Sequence, residues 1–369
     1  MGYRRIVIKF GTSTLTAGNP NLSFPHMVDL ARQVSTLANQ GIQVALVSSG
    51  AVAAGREALG HPSLPGFIRA KQMLAAVGQP RLMGLYEQYF AIYGKTVAQV
   101  LLTRADIADR RRYLNARDTL EGLLSQGVIP IVNENDTVAV EEIRLGDNDN
   151  LSALVANLVE SDLLLLLTDQ AGLFTADPRQ DPHAELIHEV SSPEIPTALW
   201  QAAGGSSTGL GTGGMVTKLQ AADLARRGGT MVVIAHGAEP DVLLRVARQE
   251  TLGTRLTPVV TALEHRKRYL LAGMRSRRVL AIDDGAAHAL QRGGSLLPVG
   301  VKQVEGNFER GDAVRVHSLS GKELAVGLVN YSAHDMERLC GHQSSEIESV
   351  LGYTFGDEVI HRNNMMLLS

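Results

Sequence analysis

Lys9 and Lys218 are the two cations whose neighbours suit them to phosphate chemistry. Lys9 closes a short apolar run and is followed at once by Phe10-Gly11-Thr12-Ser13, a flexible turn whose backbone amides can approach phosphate oxygens. The bland reading is a solvated lysine beside a turn. At the end of a buried strand, however, an ammonium without an anion is costly, so the position itself asks for a negative partner. Lys218 closes the run Gly209-Leu210-Gly211-Thr212-Gly213-Gly214-Met215-Val216-Thr217-Lys218 and leads into a helical stretch, Leu219 to Arg227. A glycine loop folding over phosphates, with the lysine entering from the helix start, fits that arrangement better than a plain hinge. Its GxGxxG spacing, Gly209 to Gly214, lacks the strand that a dinucleotide fingerprint requires, since Ser206-Ser207-Thr208 is not one. A GxxxxGK[ST] pattern is missing too, because Tyr89 stands where Gly94-Lys95-Thr96 would need its upstream glycine.

Two turn regions, Asn133-Glu134-Asn135-Asp136 and Gly146-Asp147-Asn148-Asp149-Asn150, concentrate carboxylates and amides. Asp and Asn favour turns for their own reasons, and an EF-hand reading fails because Leu151 stands where a ligand belongs. Amides that hold a polar zwitterion, with carboxylates orienting its ammonium or the lysines, account for the density better. The histidines show no HExxH or comparable spacing, so no metal-ligating set is expected.

These residues need a scaffold. Six apolar runs, Arg5 to Phe10, Gln43 to Ser48, Thr96 to Leu102, Val128 to Asn133, Leu163 to Thr168 and Met231 to Ala235, read as buried strands. Helical spacing separates them, as in Met27, Leu30, Ala31, Val34, Leu37 and Ala38 after Ser23 as N-cap, with Pro25 in the first turn. Strand and helix alternate to about residue 240, so the expected class is α/β, a mainly parallel sheet sandwiched by helices. The turns at the carboxyl ends of four strands are small, polar or acidic: Gly11-Thr12-Ser13, Ser49-Gly50-Ala51, Glu134-Asn135-Asp136 and Asp169-Gln170-Ala171-Gly172. Ligands of open α/β sheets bind at that edge, so one shared site is expected along it.

Beyond Ala262 the pattern changes to a basic stretch, Glu264 to Arg268, and then short strands broken by glycines: Val279 to Ile282, Ala313 to His317 and Leu324 to Val329. A small, mostly β barrel domain is expected from about Arg277. It carries nine Lys and Arg against twelve Asp and Glu, which opposes RNA binding because phosphate contacts need clustered cations. With 369 residues, 44% hydrophobic and 20% charged, and a net charge of -3, the whole reads as an ordinary globular chain acting on small molecules. Cys340 is the only cysteine, so neither an intramolecular disulfide nor a cysteine metal cluster is available, and it reads as a buried thiol rather than a nucleophile. No signal-peptide pattern opens the chain, and the leucine run Leu163 to Leu167 is far too short to cross a bilayer, so a cytoplasmic location is expected.

Taken in order, Ile8-Lys9-Phe10-Gly11-Thr12-Ser13, Ser48-Ser49-Gly50-Ala51, Asn133 to Asp136, Gly146 to Asn150, Leu167 to Leu173 with Thr175-Ala176-Asp177-Pro178-Arg179, and Gly211 to Lys218 resemble the amino-acid kinase family. The segment after the kinase-like region is similar to a PUA domain. Phe10 stands where many relatives have leucine, and nothing from Ser191 to Ser207 matches a family pattern. The resemblance implies a kinase domain over residues 1–258, a linker over 259–276 and a PUA-like domain over 277–369. It also implies ATP and magnesium, with the γ-carboxylate of L-glutamate as acceptor at the start of proline synthesis. Lys9 and Lys218 would contact the migrating phosphoryl group and Asp149 would organise both. Ser49, Gly50, Ala51, Asn133, Asp136 and Asn148 would bind glutamate. Lys9, Gly11, Thr168, Asp169 and the run Thr212, Gly213, Gly214, Met215, Val216, Thr217, Lys218 would hold ATP. Feedback inhibition by proline, homo-oligomers and transfer of product to a glutamyl phosphate reductase are further implications. The competing readings are a related kinase acting on aspartate, N-acetylglutamate or carbamate, and an RNA-binding protein working through the PUA-like segment.

Overall fold

Six apolar runs of the sequence become six parallel strands of one sheet in the computed structural model, which describes residues 2–64, 68–139, 148–204, 214–261 and 278–368. The chain divides into two units, Met1–Ala108 with Asn115–Ala262 and Asp109–Leu114 with Leu263–Ser369. Strands of the first are β1 (Arg5–Phe10), β2 (Gln43–Ser48), β3 (Val97–Leu102), β4 (Ile129–Glu134), β5 (Leu163–Thr168), β6 (Leu173–Phe174), β7 (Leu186–Ile187), β8 (Glu189–Val190), β9 (Met231–His236) and β10 (Thr254–Leu256). The large sheet runs β3-β4-β2-β1-β5-β9-β10-β8. Its one antiparallel pair is β9–β10, and β10 is a strand the apolar runs did not announce. The helices are α1 (Thr12–Thr16), α2 (Phe24–Asn39), α3 (Ala51–Ala58), α4 (Ile68–Ala91), α5 (Arg104–Ala108), α6 (Arg110–Ser125), α7 (Asn148–Leu158), α8 (Thr197–Ala202), α9 (Met215–Arg227) and α10 (Val242–Ala247).

The sheet is apolar on both faces, as a helix-covered parallel sheet requires. Ile6, Ile8 and Phe10 join Leu46, Leu165 and Leu167 in a core with Leu30 and Val34 of α2, Leu82, Tyr86 and Phe90 of α4, and Val242 of α10. Side chains alternate along a strand, so Val7 and Lys9 face the other way. On that side α7 packs on β1 and β5, and α9 packs on α7. Lys9 is paired in register with Val47 of β2 and Leu166 of β5. The chain builds outward from β1 through β2 in one direction and through β5 in the other, so Lys9 stands at the reversal of strand order, where α/β sheets open a crevice.

A close crossing of α3 and α4 positions the turn after β2. A Cβ on Gly55 of α3 would lie 1.9 Å from the Leu74 carbonyl oxygen, and one on Gly78 of α4 would lie 1.8 Å from that of Ala51. Only glycine lets the two helices cross so closely, and the crossing fixes where α3 begins at the Ser49-Gly50-Ala51 turn. Gly50 itself has φ +106°, a conformation costly for any residue with a Cβ.

The second unit holds β11 (Val279–Ile282), β12 (Val301–Glu305), β13 (Ala313–Ser318), β14 (Glu323–Leu328) and β15 (Met365–Leu367), ordered β12-β11-β13-β14-β15. Its helices are α11 (Asp284–Gln291), α12 (Ala333–Leu339) and α13 (Ile347–Leu351). Leu280, Ile282, Val314, Val316, Tyr331 and Met336 form its core. A reciprocal capping box between Ser332 and Asp335 starts α12. Cys340 packs partly buried against this core, and burial pushes its thiol above the usual range. The basic stretch Glu264 to Arg268 and most of the expected linker lie outside the described residues. Among the described residues, no helix is long and apolar enough to cross a membrane.

Candidate active site

Asp149 joins the two lysines. It stands in the first turn of α7 and is 1% exposed, with Lys9 at 5% and Lys218 at 7%. Lys9 Nζ lies 2.6 Å from Asp149 Oδ1 and Lys218 Nζ lies 3.3 Å from Oδ2. Burial pushes the Asp149 carboxyl up, but the charges of Lys9 and Lys218 and the hydrogen bonds from Lys9 and Thr217 outweigh it, taking it down to about 2. Both buried cations thus converge on this one carboxylate. Gly11 lies beneath the Lys9 ammonium, since a Cβ there would be 3.3 Å from Nζ.

Helix α9 brings Lys218 in from the opposite half of the sheet. Its far end is anchored by Arg226, fully buried, which donates through Nε to the Thr257 carbonyl at 3.0 Å and through its guanidinium to the Ser192 carbonyl. At its start Thr217 Oγ1 lies 2.6 Å from Asp149 Oδ2 and 2.9 Å from the Gly214 carbonyl oxygen. Beside Lys218 opens a cleft of about 360 Å³ whose walls include Thr168, Asp169, Phe174, Leu199 and Met215. That volume is within the usual range of small-ligand sites. Thr168 Oγ1 donates to Asp169 Oδ1 at 3.1 Å, and at the wall Arg179 Nε donates to Asp177 Oδ1 at 3.0 Å.

On the other side of Asp149 lies an amide cluster. Asn148 Nδ2 is 3.0 Å from Ser49 Oγ, 3.0 Å from Asn133 Oδ1 and 3.3 Å from the Ser48 carbonyl. Its Oδ1 is buried with no hydrogen-bond partner among the described residues, an acceptor available to a ligand donor. Asn133 in turn donates to Gln79 Oε1 of α4 at 2.8 Å, and Gln79 donates to Gln99 Oε1 of β3 at 2.9 Å. Asp136, in the turn after β4, is not hydrogen-bonded to this cluster among the described residues. Burial pushes its carboxyl up to about 6, against the pull of Lys71. Gln72 of α4 donates to the Ala139 carbonyl at 3.4 Å and steadies that turn.

The structure thus brings Lys9, Lys218 and Asp149 into contact and gathers Asn148, Asn133 and Ser49 beside them. Gly50 and Ala51 form the adjoining turn, and Thr168, Asp169, Gly214 and Met215 line the cleft. Thr212 and Gly213, with Gly146 and Asp147, lie outside the described residues. Sequence reasoning missed Gln79, Phe174 and Leu199. Leu199 falls in the stretch that matches no pattern, and Gln79 is one polar residue in a long helix.

Residues 4–236 match the amino acid kinase family and residues 278–351 match the PUA domain. The chain is 54% identical over 368 residues to glutamate 5-kinase of Shewanella amazonensis, covering 100% of this chain and 97% of that one. Glutamate 5-kinase of Deinococcus radiodurans is 55% identical over 365 residues, covering 99% and 100%. UMP kinase from Bacillus anthracis, a solved structure, superimposes with a TM-score of 0.48 at 18% identity over 70% of this chain and 98% of its own.

Proposed function

The chain belongs to the amino acid kinase family, and from that premise we propose that it transfers the γ-phosphoryl group of ATP to the side-chain carboxylate of L-glutamate, opening proline synthesis. The observation that carries the reading is one buried carboxylate holding two buried lysines between a nucleotide-sized cleft and an amide cluster. The acceptor needs no general base: its γ-carboxylate, with an ordinary pKa of about 4.3, is already an anion at neutral pH. The obstacle is repulsion between that anion and the triphosphate, and charge spreading over the equatorial oxygens of a loose transition state. Lys9 and Lys218 oppose both. Asn148 Oδ1 and the Asp136 carboxylate suit the α-ammonium of glutamate, and the turn Ser49-Gly50-Ala51 suits its α-carboxylate. Thr168 and Asp169, on the cleft wall, would hold ATP, and magnesium brought in by its phosphates would supply further positive charge there.

Likeness to glutamate 5-kinases over the whole chain favours this reading over a kinase for aspartate, N-acetylglutamate or carbamate, and over an RNA-binding protein. The test is ADP release across those four acceptors. Glutamate should give the largest kcat/KM, and proline added at subsaturating glutamate should slow the reaction by competing for the shared ammonium and carboxylate subsites. Equal rates with all four acceptors would defeat the assignment. A cytoplasmic location, a homo-oligomer and delivery of the labile acyl phosphate to a glutamyl phosphate reductase belong to the same proposal.

Asp136 gives the reaction a pH dependence. Its carboxyl titrates at about 6 in the free protein, and only the ionised form attracts an ammonium. Therefore kcat/KM for glutamate should be flat above about pH 7 and fall toward tenfold per unit below pH 6. The KM for ATP should change little. Asp136→Asn should abolish that inflection and raise the KM for glutamate roughly 10- to 100-fold. An unchanged inflection in that variant assigns the titration elsewhere.

A further inference from the structure

We infer that Thr217 is a positioning residue, whose hydroxyl locks the Asp149 carboxylate so that its two oxygens serve two different lysines. The inference rests on the kinase reading above and goes beyond it. Thr217 is 5% exposed, and its hydroxyl has two acceptors in reach, Asp149 Oδ2 at 2.6 Å and the Gly214 carbonyl at 2.9 Å. One hydroxyl proton serves one strong bond at a time, and the ionised acceptor at the shorter distance takes it.

The two ends of the carboxylate are held unequally. Oδ1 has a close ion pair with Lys9 at 2.6 Å, whereas Lys218 reaches Oδ2 only at 3.3 Å. That second distance is long for a charge-assisted bond. Among the described residues the Thr217 hydroxyl is therefore the short contact that holds Oδ2. Without it the carboxylate can turn about its last torsion, which is soft for an aspartate. Lys9 keeps its partner through such a turn and Lys218 loses its own.

Thr217 is suited to this task by its place in the helix. It is β-branched, so χ1 in α9 is confined to few rotamers, and a threonine hydroxyl in a helix reaches back to the carbonyl three residues earlier. Here that carbonyl belongs to Gly214, a wall of the nucleotide cleft. The hydroxyl thus ties the carboxylate to the helix turn that carries the lysine next in sequence. Family resemblance places Thr217 among nucleotide contacts, but its polar atom is engaged by Asp149.

The experiment compares Thr217→Val, Thr217→Ala and Thr217→Ser in the full chain by glutamate-dependent ADP release. The Val and Ala variants should lose roughly 10- to 100-fold in kcat, the scale of one preorganised charge-assisted hydrogen bond, with KM for glutamate and ATP each within about threefold of the parent. Serine, which restores the hydroxyl, should recover kcat to within about threefold. If Val does not fold, the Ser and Ala pair makes the same comparison. A Val or Ala variant with near-parental kcat overturns the inference, as does a serine variant as slow as valine, or a loss confined to the KM for ATP. Failure of the kinase reading would be seen separately, as a parent chain that releases no ADP with glutamate.

Discussion

Replacing Lys9 or Lys218 with alanine is expected to lower kcat by roughly 10²-fold or more, the effect of removing one preorganised donor aimed at developing charge. Either ammonium gains most when negative charge moves onto the equatorial oxygens of the migrating group, so the loss should fall on kcat more than on the KM for glutamate. Both side chains lie at less than a tenth of full exposure, where water cannot substitute for them. Lys9 comes from the central strand and Lys218 from a helix of the opposite half, yet both end on one carboxylate. Steady-state assays of the two variants and of the double variant check this. Residues acting on one group are non-additive, so the double variant should be far less impaired than the product of the single losses. Near-parental turnover in either single variant would remove that lysine from the chemistry.

Asp149→Asn should produce the other large effect, and on two observables. Losing the charge removes the carboxylate that both buried ammonium groups share, and removing one partner of a buried pair costs about 3–5 kcal/mol. Melting should show it, and a non-hydrolysable ATP analogue should raise the melting point of the variant more than that of the parent. The phosphates then supply the missing anion, so ligand linkage is larger where the free protein is worse off. Turnover should fall by at least roughly 10²-fold because neither lysine is oriented. The same carboxylate makes an acid-stability prediction in the parent. Its folded value is depressed to about 2, below an unfolded value of about 3.9. The stability it contributes is therefore complete above about pH 4 and lost as pH falls toward about 2. In Asp149→Asn that component of acid sensitivity should be absent.

Much of the scaffold was visible in single residues. The six apolar runs are the six parallel strands, because a strand buried on both faces leaves a continuous apolar signature. Parity along β1 even settles which face Lys9 takes, since Ile6, Ile8 and Phe10 claim the other. Strand β10, three residues from Thr254 to Leu256, is too short for any periodicity to register. In the second unit β12 and β15 went unread for a related cause: Val301–Glu305 is mostly solvent-facing and Met365–Leu367 has three residues. The helices there are short and rely on caps such as Ser332 rather than on long amphipathic stripes.

For the site, the motifs located the strand-end turns, since each has the local composition that turns demand, while most of the glycine loop lies outside the described residues. Contacts across the fold were not legible. The Thr217–Asp149 bond joins residues 68 positions apart, and a single hydroxyl leaves no mark in either neighbourhood. Gln79 carries the amide chain from Asn133 to Gln99 from within α4, where one more polar residue needs no special explanation. Spacing rules describe one element at a time; which elements meet is decided by packing, here by the Gly55–Gly78 crossing and the β1 reversal point.

The most direct measurement of the central claim is a crystal structure of the protein with ADP, magnesium, aluminium fluoride and L-glutamate, which mimics the phosphoryl group in flight. The account predicts Lys9 Nζ and Lys218 Nζ each within about 3 Å of a fluorine on the same aluminium centre, with the glutamate γ-carboxylate on one side and ADP on the other. A complex in which either nitrogen faces away from that centre would contradict it.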